Sequence, residues 1–259
     1  MKIAHEAPLS IFDKVQDITD YDYFLVHLFE ENKKYLDKAH ECVSKGRETI
    51  LDNSIFELGH AWNADRFAHW VEEIKPTYYI VPDVLDDCDK TIDSFERFTK
   101  QYSNLPGKTI AVAQGSTYND LVLCYNYLVN DDRVDKIALS FDSPFFQEYE
   151  GGNKYFKMMY GRQDTLSKML ADNIINTNKP HHLLGCGLPQ EFKEYTKYDW
   201  IDSLDTSNPV IHGIKDIWYT AKGMTNKESV KLYTMMDDDV TKHWPAINYN
   251  IKQFRQFCK

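Results

Sequence analysis

Residues 76–115 read PTYYIVPDVLDDCDKTIDSFERFTKQYSNLPGKTIAVAQG, and their periodicity changes twice. The run 76–84 is rich in β-branched and aromatic residues and carries Asp83 near its end. Residues 86–102 have helical spacing, and 108–115 is again strand-like, ending at Gln114. A strand, a helical crossover and a second strand point to a parallel sheet.

The same alternation repeats on both sides. YDYFLVHL (21–28), ETILDNS (48–54), DKIALSFD (135–142), PHHLLGCG (180–187), DWIDSLD (199–205) and NPVIHGI (208–214) complete a set of eight expected strands. Helical spacing covers 30–46, closing on Gly46, and 63–75, where Asn63 is the expected cap and Phe67, Trp70, Val71 and Ile74 share a stripe. It recurs at 117–131 and 161–175, with a short helical run from Pro189 to Tyr195; the tail from 215 reads as helical and aromatic. The chain has 259 residues, with no linker, low-complexity run or clear repeat. One domain over 1–259 is expected, an α/β fold closed as a single (β/α)8 barrel with a helical C-terminal tail. An open doubly wound sheet is the alternative. The missing helix between the last two expected strands fits neither.

Net charge is −10 and the sequence is 42% apolar, so a large core is affordable and a passive nucleic-acid coat protein, which would be basic, is disfavoured. A local basic path is not excluded. Candidates are Lys154, Lys157, Arg162 and Lys168, interleaved with Tyr155, Phe156 and Tyr160, and the lysines of the tail, although a solvated helix face explains most such clusters. The five cysteines are scattered without a CxxC pair, which argues against a disulfide framework or a Cys-rich zinc site. No signal-like or membrane-spanning apolar run occurs, so a reducing, cytoplasmic location is expected.

The strand ends carry the chemistry. Asp52 and Asn53, Asp83, Gln114, Ser140 and Asp142, Gly185 and Gly187, and Asp205 each close a strand, and in a barrel these ends meet at one face. A single Asp after a strand ordinarily caps the next helix. Several together define an acid/base or nucleophilic site, or an oxygen-rich magnesium site. Asp202, three residues before Asp205, faces the other way in a regular strand and reads as structural. His181 and His182 read as one satisfied core histidine and one facing the helix layer. His212, on the last expected strand, is a weak candidate neighbour of Asp205.

In order, these motifs resemble the tRNA-guanine transglycosylase family, the base-exchange enzymes of queuosine and archaeosine synthesis. ILDNSIFELG matches the family's Asp-Ser-Gly-Gly-aromatic motif, VPDV its base-binding Asp, and AVAQGS its Gln-Gly-Ser. HHLLGCGLPQEF matches His-Tyr-Leu-Met-Gly-Val-Gly-x-Pro, and WIDSLDTSNP matches Asp-x-Phe-Asp-Cys. The resemblance spans roughly 48–210 and implies a (β/α)8 barrel. It implies that Asp205 is the nucleophile and Asp52 the proton carrier. Asp83 and Gln114 would bind the guanine edge, and Phe56 and Leu184 would sandwich the base. Gly185 and, more weakly, Ser140 would join the pocket. No metal and no organic cofactor is required. Ser54-Ile55 replaces the double glycine, LSFDSPFF replaces a Gly-rich loop, and the family's Cys-x-Cys-x-x-Cys…His zinc subdomain is absent. The compact form resembles the phage-type paralogues that insert 7-deazaguanines into DNA. The partners implied are therefore nucleic acid, DNA favoured over tRNA, and a free 7-deazaguanine base, with no membrane; a phage-encoded protein would act in the host cytoplasm. A hydrolytic N-glycosidase of the same architecture, a catalytically silent barrel that binds nucleic acid or a partner, and a magnesium-dependent phosphoryl-transfer barrel are the competing readings.

Overall fold

A computed structural model describes residues 1–60 and 62–259. In chain order its elements are β1 (Lys2–His5), α1 (Phe12–Gln16), β2 (Asp22–Leu25), α2 (Leu28–Glu31), α3 (Lys33–Ser44) and β3 (Thr49–Asp52). Next come α4 (Ile55–Leu58), α5 (Ala64–Ile74), β4 (Tyr78–Ile80), α6 (Cys88–Gln101), β5 (Lys108–Ala113) and α7 (Tyr118–Val129). The chain ends with β6 (Lys136–Ser140), α8 (Lys154–Ala171), β7 (His181–Leu184), β8 (Ile201–Thr206), α9 (Asn208–Ile214) and α10 (Trp244–Phe257).

The eight strands form one parallel sheet in the order β1-β8-β7-β6-β5-β4-β3-β2. At the seam, the residues leading into β2 bond to β1. Asp20 N donates to Ile3 O at 2.9 Å, Ile3 N to Asp20 Oδ2 at 2.8 Å, and His5 N to Thr19 Oγ1 at 3.0 Å. Tyr21 Oη reaches across to Leu204 O at 2.6 Å. The fold is a (β/α)8 barrel with a C-terminal helix.

The count of eight strands hides one exchange. NPVIHGI is not a strand but helix α9, with Pro209 in its first turn. A proline there suits a helix start, whereas Val210 and Ile211 mimic a strand composition. The vacant place is filled by β1, a four-residue strand at the chain start, too short for its period to be read. The expected helical tail is also corrected: residues 215–243 are largely irregular, with two short 3₁₀ turns, and only α10 is a long helix. Helix α8 begins seven residues before the expected 161 because Asn153 caps it, accepting from Tyr155 N and Phe156 N.

The helix starts explain what the strand-end acids are not. Asn32, Asn63, Asp87, Thr117 and Asn153 accept the capping bonds of α3, α5, α6, α7 and α8. Each such cap stabilises by about 1 kcal/mol. Asp52, Asp83 and Asp205 cap none of these helices and are free for other work. Helices α5 and α6 bury Phe67, Val71 and Ile74, and Phe95 and Phe98, against the barrel's outer face.

Candidate active site

Alternate residues of each strand point inward, so residues at and just past the strand ends meet at the C-terminal mouth. Asp52, Phe56, Asp83, Gln114, Ser140, Leu184, Gly185 and Asp205 all line one cavity there, of about 730 Å³ including its open mouth. Its polar wall also includes Glu6, Tyr23, Glu57, Thr206, Ser207 and Lys227, which the sequence does not mark as site residues. Glu6 follows β1, the strand that the sequence concealed.

Asp205 is 6% exposed. Its Oδ1 lies 3.0 Å from His182 Nε2 and accepts from Gly185 N at 3.3 Å. Gly185 has φ +65°, and a Cβ there would meet the Phe141 ring at 2.4 Å. The turn that aims its N–H therefore needs glycine at this place. Beneath that turn, Arg162 donates to Leu184 O at 3.0 Å and Gly185 O at 3.1 Å and pairs with Glu191 at 2.6 Å. Arg162 is thus fully buried and lies off any phosphate path, a correction to the basic-path reading.

Asp52 accepts from Tyr23 Oη and from Ser54 N, each at 2.5 Å. Burial, then the charge of Glu57, pushes its carboxyl well above the ordinary carboxylate range, against those two hydrogen bonds. The Tyr23 ring stacks on His182, centroids 6.3 Å apart. One packed chain therefore joins Asp52, Tyr23, His182 and Asp205. Ser54 adopts φ +62° where the resembled motif has glycine, so the backbone keeps the left-handed turn at some strain.

Asp83 is held from both sides: Asn53 Nδ2 donates to Oδ1 and Gln114 Nε2 to Oδ2, each at 2.7 Å. Gln114 Oε1 accepts from Asp86 N at 3.2 Å. Burial raises the Asp83 carboxyl, and the two amides oppose the shift. Phe56, 53% exposed, packs on Phe141 at the rim, centroids 5.4 Å apart.

Residues 224–237 cross the mouth and bring Lys227 into the cavity. Gln190 exchanges two hydrogen bonds with Met224, Asn153 donates to Thr225 O, and Asn32 bonds Asp237. Beyond this strap an outer cavity of about 970 Å³ shares Glu6, Glu57 and Lys227 with the first and adds Lys154, Lys231 and Tyr233.

Asp202 sits at the opposite end of the barrel, 2.5 Å from Lys136 Nζ, in keeping with a structural role. His181 faces the helices, its Nε2 2.8 Å from Tyr125 Oη, while His182 faces inward onto Asp205. The sequence reading of this pair as wholly structural overlooked that contact. His212, on α9, bonds Asn208 O instead.

Glu57 Oε2 is buried without a hydrogen-bond partner. Burial first, with the Asp205 charge adding, raises its carboxyl to about 7. Between its ordinary value and about 7 the folded protein binds more protons than the unfolded chain. The stability this confers is present at low pH and is lost as pH rises through 7. Glu57→Gln is therefore expected to shrink the stability loss between pH 5 and pH 8 by about 1–3 kcal/mol. Urea unfolding at both pH values measures it, and an unchanged difference would reject the assignment.

Fold and site together define an α/β barrel with a deep, acid-lined pocket at the C-terminal ends of its strands. Among the described residues, no group of three or more His, Cys, Asp or Glu side chains is arranged to hold a metal ion, and no helix is long and apolar enough to cross a membrane. No protein-family model and no characterised protein matches the chain.

Proposed function

We propose that the protein is a base-exchanging transglycosylase that replaces guanine in nucleic acid by a 7-deazaguanine through a covalent Asp205–sugar intermediate. What supports this reading is the convergence in one cavity of the residues that the resemblance names. They come from six segments far apart in sequence.

In this mechanism Asp205 attacks C1′ as the bond from C1′ to the base breaks. The bonding electrons leave with the base, which takes a proton from Asp52. A carboxylate suits the attack because the transition state is oxocarbenium-like. Burial raises the Asp52 carboxyl and so favours its protonated form, the form a general acid needs. The incoming base then returns a proton to Asp52 and displaces Asp205. Asp83 accepts from the guanine edge on lone pairs left by Asn53 and Gln114, and Phe56 and Leu184 cover the ring faces. The base reaches this pocket only from a single strand or flipped from a duplex. DNA is the favoured polymer, on the likeness to the compact paralogues. Five free thiols accord with a reducing, cytoplasmic setting.

One observation favours a second reading. Glu57, raised to about 7 and unmatched by the resemblance, is poised to activate water, as an N-glycosidase requires. Isotopically labelled guanine or 7-deazaguanine, mixed with protein and guanine-containing DNA or RNA oligonucleotides, separates the two. Label entering the polymer is the expected result. Base release without incorporation would establish the hydrolase, and neither would reject both.

A further inference from the structure

The interior of such a barrel is ordinarily packed with branched apolar side chains. Here three fully buried polar residues interrupt it: Lys136 on β6, His182 on β7 and Ser203 on β8. They form an unbroken line beneath Asp205. Lys136 Nζ lies 2.5 Å from Asp202 Oδ2 and 3.0 Å from Ser203 Oγ. Ser203 Oγ is 2.9 Å from His182 Nδ1, and His182 Nε2 is 3.0 Å from Asp205 Oδ1.

The two ends of this line set its directions. An ammonium group only donates, so Ser203 Oγ accepts from Lys136. A carboxylate only accepts, so His182 Nε2 carries the ring proton and donates to Asp205 Oδ1, and the bare Nδ1 accepts from Ser203. Burial holds the imidazole below its ordinary pKa, against the pull of Asp205, so the ring is neutral and carries one proton. Gly185 N donates to the same oxygen of Asp205. Oδ1 is thus tied by two N–H groups, while Oδ2 accepts no hydrogen bond from the described residues.

We propose that Lys136, Ser203 and His182 are positioning residues for Asp205: they fix the Nε2–H tautomer, tie Oδ1, and leave Oδ2 as the atom that attacks C1′. This rests on the reading of Asp205 as nucleophile. The Oδ2–C1′ bond forms as the bond from C1′ to the base breaks; the base leaves with the electron pair and the Asp52 proton. Oδ1 becomes the ester carbonyl and keeps both donors. When the incoming base displaces the ester, the charge returning to the carboxylate meets the same two N–H groups, already in place. The resembled segment has Tyr at the position of His182, so the relay is a property of this chain.

Three variants and one spectrum test it. His182→Leu removes the donor, His182→Gln keeps a side-chain N–H near the place of Nε2, and Ser203→Ala cuts the link to Lys136. In single-turnover reactions with a guanine-containing oligonucleotide, His182→Leu is expected to form the covalent adduct about 10- to 100-fold more slowly. Apparent oligonucleotide affinity should stay within about twofold, because the relay acts after binding. His182→Gln should recover part of the rate, and Ser203→Ala should fall between; it carries the comparison if His182→Leu does not fold. Ring ¹⁵N shifts of unliganded wild type at neutral pH should show Nε2 protonated and Nδ1 bare, a readout independent of activity. An Nδ1–H ring, or His182→Leu and Ser203→Ala as fast as wild type, would overturn the relay. A wild-type protein with the Nε2–H signature but no adduct would overturn the nucleophile reading and the Oδ2 assignment, leaving the tautomer itself supported.

Discussion

Arg162→Met is expected to cost about 3–5 kcal/mol of folding stability, the loss that follows when one partner of a buried ion pair is removed. Arg162 and Glu191 are each 1% exposed. The guanidinium makes three bonds in fixed directions: Nε to Glu191 and the two terminal nitrogens to Leu184 O and Gly185 O. Methionine fills much of the same volume but leaves the Glu191 carboxylate buried with, among the described residues, only the Tyr195 hydroxyl, 2.7 Å away, as a donor. Arg162→Lys should restore little, since one ammonium cannot span both carbonyls and the carboxylate. Urea unfolding monitored by circular dichroism measures the loss; a change below about 1 kcal/mol would show that the pair does not hold the turn after β7. The same turn aims Gly185 N at Asp205, so in the transglycosylase reading activity should fall along with stability.

Asp52→Asn is expected to slow the covalent step by about 10²–10⁴-fold, the usual contribution of a positioned general acid. Asparagine keeps an oxygen for Tyr23 or Ser54 and nearly the same volume, so folding and oligonucleotide binding should change little. The pH profile gives the sharper signature. An acid must be protonated to act, and Asp52 is held well above the ordinary carboxylate range. The wild-type rate should therefore fall as pH rises through that raised value, and the alkaline limb should be missing from Asp52→Asn. A variant that retains the limb would assign the proton transfer to another group, with Glu6 the first alternative. Glu6 is raised by burial and by the charges of Asp205, Glu57 and Asp52.

Strand ends were the legible part of this protein. Asp52, Asp83, Gln114 and Asp205 each close a run of β-forming residues, and parallel strands carry such ends to one face. What escaped notice depends on contacts distant in sequence. His182 meets Asp205 because of the β7–β8 register, which shifts between His181 and His182; no period in HHLLGCG encodes that. Lys227 enters the pocket on a strap held by Gln190 and Asn153, whose bonds no local pattern signals. Tyr23 reads as an ordinary core aromatic until its hydroxyl is found on Asp52. Glu6 was lost with β1, because four residues at a chain start show no alternation, and NPVIHGI took its place because β-branched residues weigh more in the pattern than one proline. Arg162 looked like surface charge, since a lone arginine in a helix does not reveal a buried glutamate 29 residues on.

The most direct test of the central claim is intact-mass and denaturing-gel analysis of the protein mixed with guanine-containing DNA and RNA oligonucleotides, using wild type and Asp205→Asn. The account predicts a covalent protein–oligonucleotide species with wild type, formed on DNA in preference to RNA, lost in Asp205→Asn, and resolved when free 7-deazaguanine base is added. No adduct and no base exchange on either polymer with folded wild-type protein, or an adduct that persists in Asp205→Asn, would contradict it.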